Sequence, residues 1–138
     1  MKFVIIGAGA LGTILAGHLA RAGQDVTLVA RGKRAAFLKE NNLTLTGLAD
    51  FNIPCKIVEH IGKVKTADVL IVAVKTYDME GVLADVGHLD VGSVLSVQNG
   101  VLKNEQLATV FGEKKVIGAA AFFSGELLPE GAARFTLN

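Results

Sequence analysis

Cysteine is nearly absent from this sequence, since Cys55 is the only one among 138 residues. A single cysteine excludes an internal disulfide and a metal site built from several cysteines. It is typical of a reducing compartment, so we expect a cytoplasmic protein. A strong charge of either sign is also absent, because the formal net charge is +1. The charge balance therefore predicts neither a nucleic acid nor a membrane as partner.

Signals for export, metal binding and hydrolytic catalysis are missing as well. The apolar residues near the N-terminus are interrupted by glycines and then by His18 and Arg21. Because no A-x-A cleavage site follows, we predict neither a signal peptide nor a membrane span. His18, His60 and His88 lack metal-ligand spacing, so we predict no metal site. No Ser/His/Asp set with a nucleophile elbow occurs.

The sequence does contain an alternation of short apolar runs with helical patterns. The runs that predict strands are KFVII (2–6), DVTLVA (25–30), ADVLIVAVK (67–75) and GSVLSVQ (92–98). Helices are predicted over 10–22, 33–42, 77–89 and 103–112. This order predicts one α/β domain, residues 1–138, of the Rossmann type: a doubly wound, mainly parallel sheet with helices on both faces.

Two regions depart from the alternation. LTLTG (43–47) and NIPCKIVE (52–59) predict a hairpin-like excursion. Near the C-terminus, KVIGAAAFFSGELL (115–128) and AARFTL (132–137) predict two strands. The residues PEG between them are typical of a turn.

A glycine-rich turn, IIGAGALG (5–12), stands where the first predicted strand meets the first predicted helix. The spacing G-x-G-x-x-G in this context indicates dinucleotide binding. Gly7 would permit the tight turn, Gly9 would let the backbone approach a pyrophosphate, and Gly12 would let the helix pack on the strand. The N–H groups and positive end of the helix would attract the phosphates. The alternative is a structural turn that binds no ligand.

The residue after the second predicted strand discriminates between two dinucleotides. A carboxylate about 20 residues beyond the glycines would bind the ribose 2′-hydroxyl of NAD. Here Arg31 occupies that place, and no carboxylate occurs over 26–39. An arginine can bind a 2′-phosphate through two hydrogen bonds, and Lys33 and Arg34 add positive charge. The sequence therefore favours NADP over NAD; the alternative is a solvated, basic start of a helix.

Two more polar residues stand at the carboxyl ends of predicted strands, where open α/β sheets bind ligands. Lys75 ends a very apolar strand, and Asn99 in VQNG (97–100) could form hydrogen bonds at the nicotinamide end of a cofactor. The alternatives are a lysine that extends to solvent and a simple Asn-Gly turn.

These motifs, in this order and spacing, resemble the ketopantoate reductase (2-dehydropantoate 2-reductase) family. The resemblance rests on KFVIIGAGALG, VTLVAR, VLIVAVKTY, VQNG and VIGAAAFFSGELLPEGAARFT. It covers nearly the whole chain. It implies NADPH-dependent reduction of the small molecule 2-dehydropantoate to pantoate, on the route to pantothenate and coenzyme A.

The resemblance also implies roles for individual residues. The pyrophosphate would lie on Gly7, Ala8, Gly9, Ala10, Leu11 and Gly12. Arg31 would bind the 2′-phosphate of NADP. Lys75 and Asn99 would face the nicotinamide and the substrate. Ser124 would contact the nicotinamide end through its backbone, while the alanines 119–121 replace residues that are often hydroxylic in the family.

The family's second, helical domain supplies a general-acid lysine and a substrate-binding glutamate, and this chain ends at Asn138, before any such domain. We therefore expect a cofactor domain without a catalytic residue of its own. The face that would meet those helices should be apolar, which makes a homo-oligomer a candidate assembly. Two alternatives remain open: a non-catalytic, nucleotide-sensing regulatory Rossmann domain, and the cofactor domain of another NADP-dependent hydroxyacid dehydrogenase.

Overall fold

The computed structural model describes residues 1–137. Over these residues, strands and helices follow one another as β1 (Lys2–Ile6), α1 (Ala10–Arg21), β2 (Asp25–Val29), α2 (Gly32–Asn41), β3 (Leu43–Gly47), β4 (Phe51–Ile53), β5 (Lys56–Val58), β6 (Thr66–Val72), α3 (Met79–Asp85), β7 (Asp90–Ser96), α4 (Lys103–Phe111), β8 (Ser124–Leu127) and β9 (Ala133–Leu137). Short 3-10 helices span Ile61–Lys63, Thr76–Asp78 and Glu113–Lys115. Within residues 1–137, no helix is both long and apolar enough to cross a bilayer.

The main sheet has five parallel strands in the order β5-β2-β1-β6-β7. Strands of a parallel sheet are buried on both faces, which explains the continuous apolar runs of β1 and β6. Ile5 packs with Ile14 of α1 on one face, where α2 also lies. Val4 packs on the other face with Met79 of α3 and Leu107 of α4. The predicted doubly wound sheet with helices on both faces is confirmed.

A second sheet covers α1 on the side away from the main sheet. Its order is β4-β3-β9-β8, and only the pair β3 and β9 is parallel. Helix α1 therefore lies between two sheets, and it packs closely against the second one at Gly17. A Cβ at Gly17 would come within 2.7 Å of the Leu45 side chain. The sequence indicated these strands singly, but their common sheet joins segments far apart in the chain.

The predicted excursion after α2 is confirmed only in its first half. Strands β3 and β4 form an antiparallel hairpin, with Leu43 opposite Ile53. Residues 56–58, predicted to belong to the same hairpin, instead pair with β2 in the main sheet. That edge of β2 offers free backbone groups, and pairing satisfies them.

The predicted long strand over 115–128 is wrong in its middle part. Val116 forms one isolated bridge with Val94 at the edge of the main sheet, and only Ser124–Leu127 forms a strand. The segment 117–123 has to cross from the main sheet to the second one, so it finds no continuous neighbour. The predicted turn around PEG is confirmed: Gly131 has φ +101°, and its N–H donates to the Leu128 carbonyl at 2.9 Å.

Candidate functional site

A cleft opens at the carboxyl ends of the central parallel strands. It has a volume of about 970 Å³, and Gly7, Arg31 and Lys75 are among the residues that line it. Strand β1 is the point where the strand order reverses, because β2 lies on one side of it and β6 on the other. Open α/β sheets bind ligands at this switch point.

The glycine turn is required by the packing of the protein itself at two positions. Gly7 has φ +109°, and a Cβ there would lie 2.8 Å from the carbonyl carbon of Ala73. A Cβ on Gly12 would overlap the carbonyl oxygen of Gly7. Only glycine accepts such a φ and such a close approach without strain. The predicted tight turn and the predicted close contact between helix and strand are both confirmed.

Gly9 differs from these two glycines, because a Cβ there would meet no protein atom within 4 Å. The residue is the N-cap of α1, yet no side chain caps the helix and its first turn holds no acid. The first N–H groups of a helix have no partner within the helix. The space beside Gly9 and these N–H groups are open to a ligand, and binding of a phosphate there stays a prediction.

Arg31 lies at the edge of the same cleft. It is exposed, follows β2 and is the N-cap of α2. Among residues 1–137, its guanidinium makes no side-chain hydrogen bond or ion pair. Glu59 also lines the cleft, but its carboxylate is paired with Lys39 at 3.1 Å. Arg31 is thus available to an anionic ligand group.

Arg34 has a role that its sequence position did not reveal. Its Nε donates to the Ala8 carbonyl at 2.9 Å, its Nη1 to the Gly131 carbonyl at 2.7 Å and its Nη2 to Thr13 Oγ1 at 3.1 Å. Burial lowers the pKa of the Arg34 guanidinium from its ordinary value. The side chain adds positive charge beside the glycine turn, and each of its three nitrogens donates one hydrogen bond within the protein.

Lys75 and Asn99 lie beyond their strands rather than in them. The predicted strands 67–75 and 92–98 end at Val72 and Ser96, and the N–H groups of Ala73 and Val97 each donate one further hydrogen bond to the neighbouring strand. Lys75 is exposed, lines the cleft and precedes a short 3-10 helix. Asn99 is exposed in the loop after β7 and is not among the residues that line the cleft.

The remaining predicted contact residues lie outside the cleft lining. Ala10 and Leu11 are in the first turn of α1. Ser124 begins β8, and its hydroxyl forms a hydrogen bond with Thr136 Oγ1 at 3.1 Å. Contact between these residues and a cofactor stays a prediction. Among residues 1–137, no group of three or more His, Cys, Asp or Glu side chains is placed to hold a metal ion.

Lys103 is a cationic residue with structural contacts that the sequence did not indicate. Its Nζ donates to the carbonyls of Ser96 and Gln98 at 3.0 Å each, and also to the carbonyl of Ala119. It thereby ties the VQNG loop to the segment that crosses between the sheets. No signal in the sequence could identify it, because backbone carbonyls are present at every residue.

A parallel sheet in this order, with a glycine turn at its switch point, defines the class of nucleotide-binding Rossmann domains found in oxidoreductases. Within that class, the chain belongs to the ketopantoate reductase family. The family model, described as Ketopantoate reductase PanE/ApbA, matches residues 3–138.

Individual relatives agree with this membership. The 2-dehydropantoate 2-reductase of Pyrococcus abyssi is 36% identical over 119 residues, which are 86% of this chain and 39% of the relative. That of Archaeoglobus fulgidus is 37% identical over 129 residues, 92% of this chain and 41% of the relative. The solved 2-dehydropantoate 2-reductase of Geobacter metallireducens is similar over 100% of this chain and 47% of its own, with TM-score 0.92 and 28% identity. The chain thus spans less than half the length of each of these relatives.

Proposed function

We propose that residues 1–138 form the NADP-binding domain of an enzyme that reduces 2-dehydropantoate to pantoate. The observation that carries the proposal is Arg31, an exposed guanidinium at the edge of the cleft that holds the glycine turn. The names of the relatives supply the reaction. The single cysteine favours a cytoplasmic location.

The cleft offers a place for each charged part of NADP. The pyrophosphate would lie in the open space beside Gly9, against the first N–H groups of α1. The 2′-phosphate would accept hydrogen bonds from Arg31, while Lys39 holds the carboxylate of Glu59. The bound cofactor would supply the hydride. Gly9, the first N–H groups of α1 and Arg31 would hold the cofactor at the switch point of the sheet.

Two residues would act on the substrate side of the cleft. Lys75 would attract and polarise the carbonyl oxygen, and Asn99 would orient the substrate or the nicotinamide by hydrogen bonds. Reduction of a ketone also needs a proton donor. Lys75 is exposed to water, so we do not assign it the role of proton donor. We assign that role to the part of the relatives that this chain does not span. Lys75 would therefore polarise and orient the carbonyl without donating the proton.

Calorimetric titration of residues 1–138 with NADPH and with NADH tests the proposal. We expect NADPH to bind about 10- to 150-fold more tightly, since hydrogen bonds to a charged group contribute about 1.5–3 kcal/mol. Equal affinities would contradict the assignment of NADP. Preferential binding of NADH would favour the nucleotide-sensing alternative. Binding of neither dinucleotide would contradict a cofactor domain altogether.

A further inference from the structure

Arg34 connects three parts of the chain that are distant in sequence. Its guanidinium bonds to Ala8 in the glycine turn, to Thr13 in α1 and to Gly131 in the turn between β8 and β9. It also lies over the ring of Phe37, 5.7 Å from the ring centroid. A side chain with all these contacts has few alternative conformations, so it holds what it contacts in one place.

The contact with Ala8 fixes the direction of a peptide group. The Ala8 carbonyl accepts from Arg34 Nε at 2.9 Å and from the Thr13 hydroxyl at 3.2 Å. In a trans peptide the carbonyl and the following N–H point in opposite directions, and the bond between Ala8 and Gly9 is trans. With the carbonyl held toward the protein interior, the N–H of Gly9 points the other way, toward the open side of the turn.

The same contact places a positive charge beside the turn. Arg34 lines the cleft and is half-buried. Arginine keeps its proton in proteins. Its charge therefore adds to the positive end of α1, while one N–H of each guanidinium nitrogen is bonded within the protein.

We propose that Arg34 is a positioning residue: together with Thr13 it aims the Gly9 N–H into the cleft and so sets the affinity for the pyrophosphate of a dinucleotide. This proposal rests on the proposed function, because it concerns the same cleft. It adds a specific expectation, which is that Arg34 affects the pyrophosphate and not the 2′-phosphate held by Arg31.

Two probes separate these parts of the ligand: NADPH, which has the pyrophosphate, and adenosine 2′-monophosphate, which lacks it. We expect Arg34→Met to weaken NADPH binding by more than about tenfold. Binding of adenosine 2′-monophosphate should change by less than about twofold, because it depends on Arg31. Arg34→Lys should fall between Met and the unmodified chain, since a lysine keeps the charge but cannot make all three bonds.

Thr13 provides a matched pair of smaller changes. Thr13→Val keeps the shape but removes the hydroxyl, so it should weaken NADPH binding. Thr13→Ser keeps the hydroxyl and should bind NADPH as the unmodified chain does. Arg134→Met is the control for loss of an arginine, because Arg134 is an exposed residue paired with Glu126 at 3.4 Å. It should leave both affinities unchanged.

A readout without ligand tests the geometry directly. In ¹⁵N-labelled protein, Arg34→Met should shift the amide resonance of Gly9, whereas Arg134→Met should not. An unchanged Gly9 resonance, or NADPH affinity equal to that of the unmodified chain, would overturn the proposal. Equal loss of both probes in a folded Arg34→Met variant would also overturn it. If the Met variant does not fold, the Thr13 pair decides.

The outcome for the unmodified chain keeps the two proposals apart. If the unmodified chain fails to bind NADPH, the proposed function is contradicted. The Gly9 resonance and titration with inorganic pyrophosphate then still decide the role of Arg34. If Arg34→Met changes both the Gly9 resonance and the affinity for pyrophosphate, that role is supported. If either of the two stays unchanged, the role is overturned.

Discussion

The two ends of the cleft are built in different ways. At one end, the glycine turn is held from several sides: Gly7 lies against Ala73, Gly12 lies against Gly7, and Arg34 binds Ala8. At the other end, to which we assign the nicotinamide, Lys75 is exposed in a loop beyond its strand. The first end is shaped by buried contacts within the described residues, whereas the second is open to solvent.

Exposed apolar side chains follow β6 and β7 and occur in the segment that crosses between the sheets. Tyr77, in the short 3-10 helix after β6, is 83% exposed, and Val101 in the loop after β7 is 94% exposed. Phe122, in the segment that crosses between the sheets, is 85% exposed. Leaving apolar surface in water is unfavourable, so groups of such side chains mark surfaces that contact another structure. From this comparison we expect cofactor binding and turnover to depend on different parts of the protein.

The largest expected effect is a loss of turnover without a loss of binding. We expect residues 1–138 alone to bind NADPH but to reduce 2-dehydropantoate far below about 1 s⁻¹, the lower part of the usual enzyme range. A positioned proton donor contributes about 10²–10⁴-fold, and water weakens the electrostatic contacts of Lys75. The measurement is NADPH oxidation followed by absorbance. Turnover near 1 s⁻¹ would mean that a residue of this chain donates the proton, and Lys75 would be the first to replace.

A second prediction separates two glycines of the same turn. Gly9→Val should weaken NADPH binding by more than about 100-fold and leave the fold intact, because the side chain would fill the space for the phosphates. Gly12→Val should destabilise the protein by more than about 3 kcal/mol, because it overlaps backbone. Titration and thermal unfolding by circular dichroism measure the two effects. Normal NADPH binding by Gly9→Val would show that the turn is structural only.

The third prediction concerns cofactor preference. Arg31→Asp should lower NADPH affinity by about 10- to 150-fold and reverse the preference toward NADH, since it replaces an attraction by a repulsion. Lys33→Asp is the matched control, because it makes the same charge change in an exposed residue that does not line the cleft. An equal effect of both variants would indicate a general field rather than a contact with Arg31.

The smallest expected effect is at Val101, the exposed apolar residue in the loop after β7. Val101→Ser should change the free energy of unfolding by less than about 0.5 kcal/mol, because the side chain touches little of the described protein. Leu107→Ala, at a buried position of α4, should lower the free energy of unfolding by about 2–5 kcal/mol. Urea denaturation compares them. A large loss in the free energy of unfolding for Val101→Ser would show that the loop after β7 is packed in solution.

Some parts of the fold and the candidate site could be predicted from local patterns, because the physical cause is local. After Lys2, the run FVII (3–6) is apolar, as a buried parallel strand requires, and the helix that begins at Ala10 follows its glycine turn directly. The glycine spacing also indicated a close approach of backbones, which Gly7 and Gly12 make. Strand ends were less accurate: β6 stops at Val72, although the apolar pattern continues to Val74.

Sequence alone thus determined the order of strands and helices, the glycine turn and the place of Arg31 after β2, since each depends on neighbours in the chain. Only the tertiary structure decided that β3 pairs with β9, that residues 56–58 join the main sheet and that Arg34 binds Ala8 and Gly131. These contacts join residues far apart in sequence, and their acceptors are backbone groups that every residue carries. Such pairings leave no residue-specific pattern, so they are fixed only when the packed chain brings the groups together.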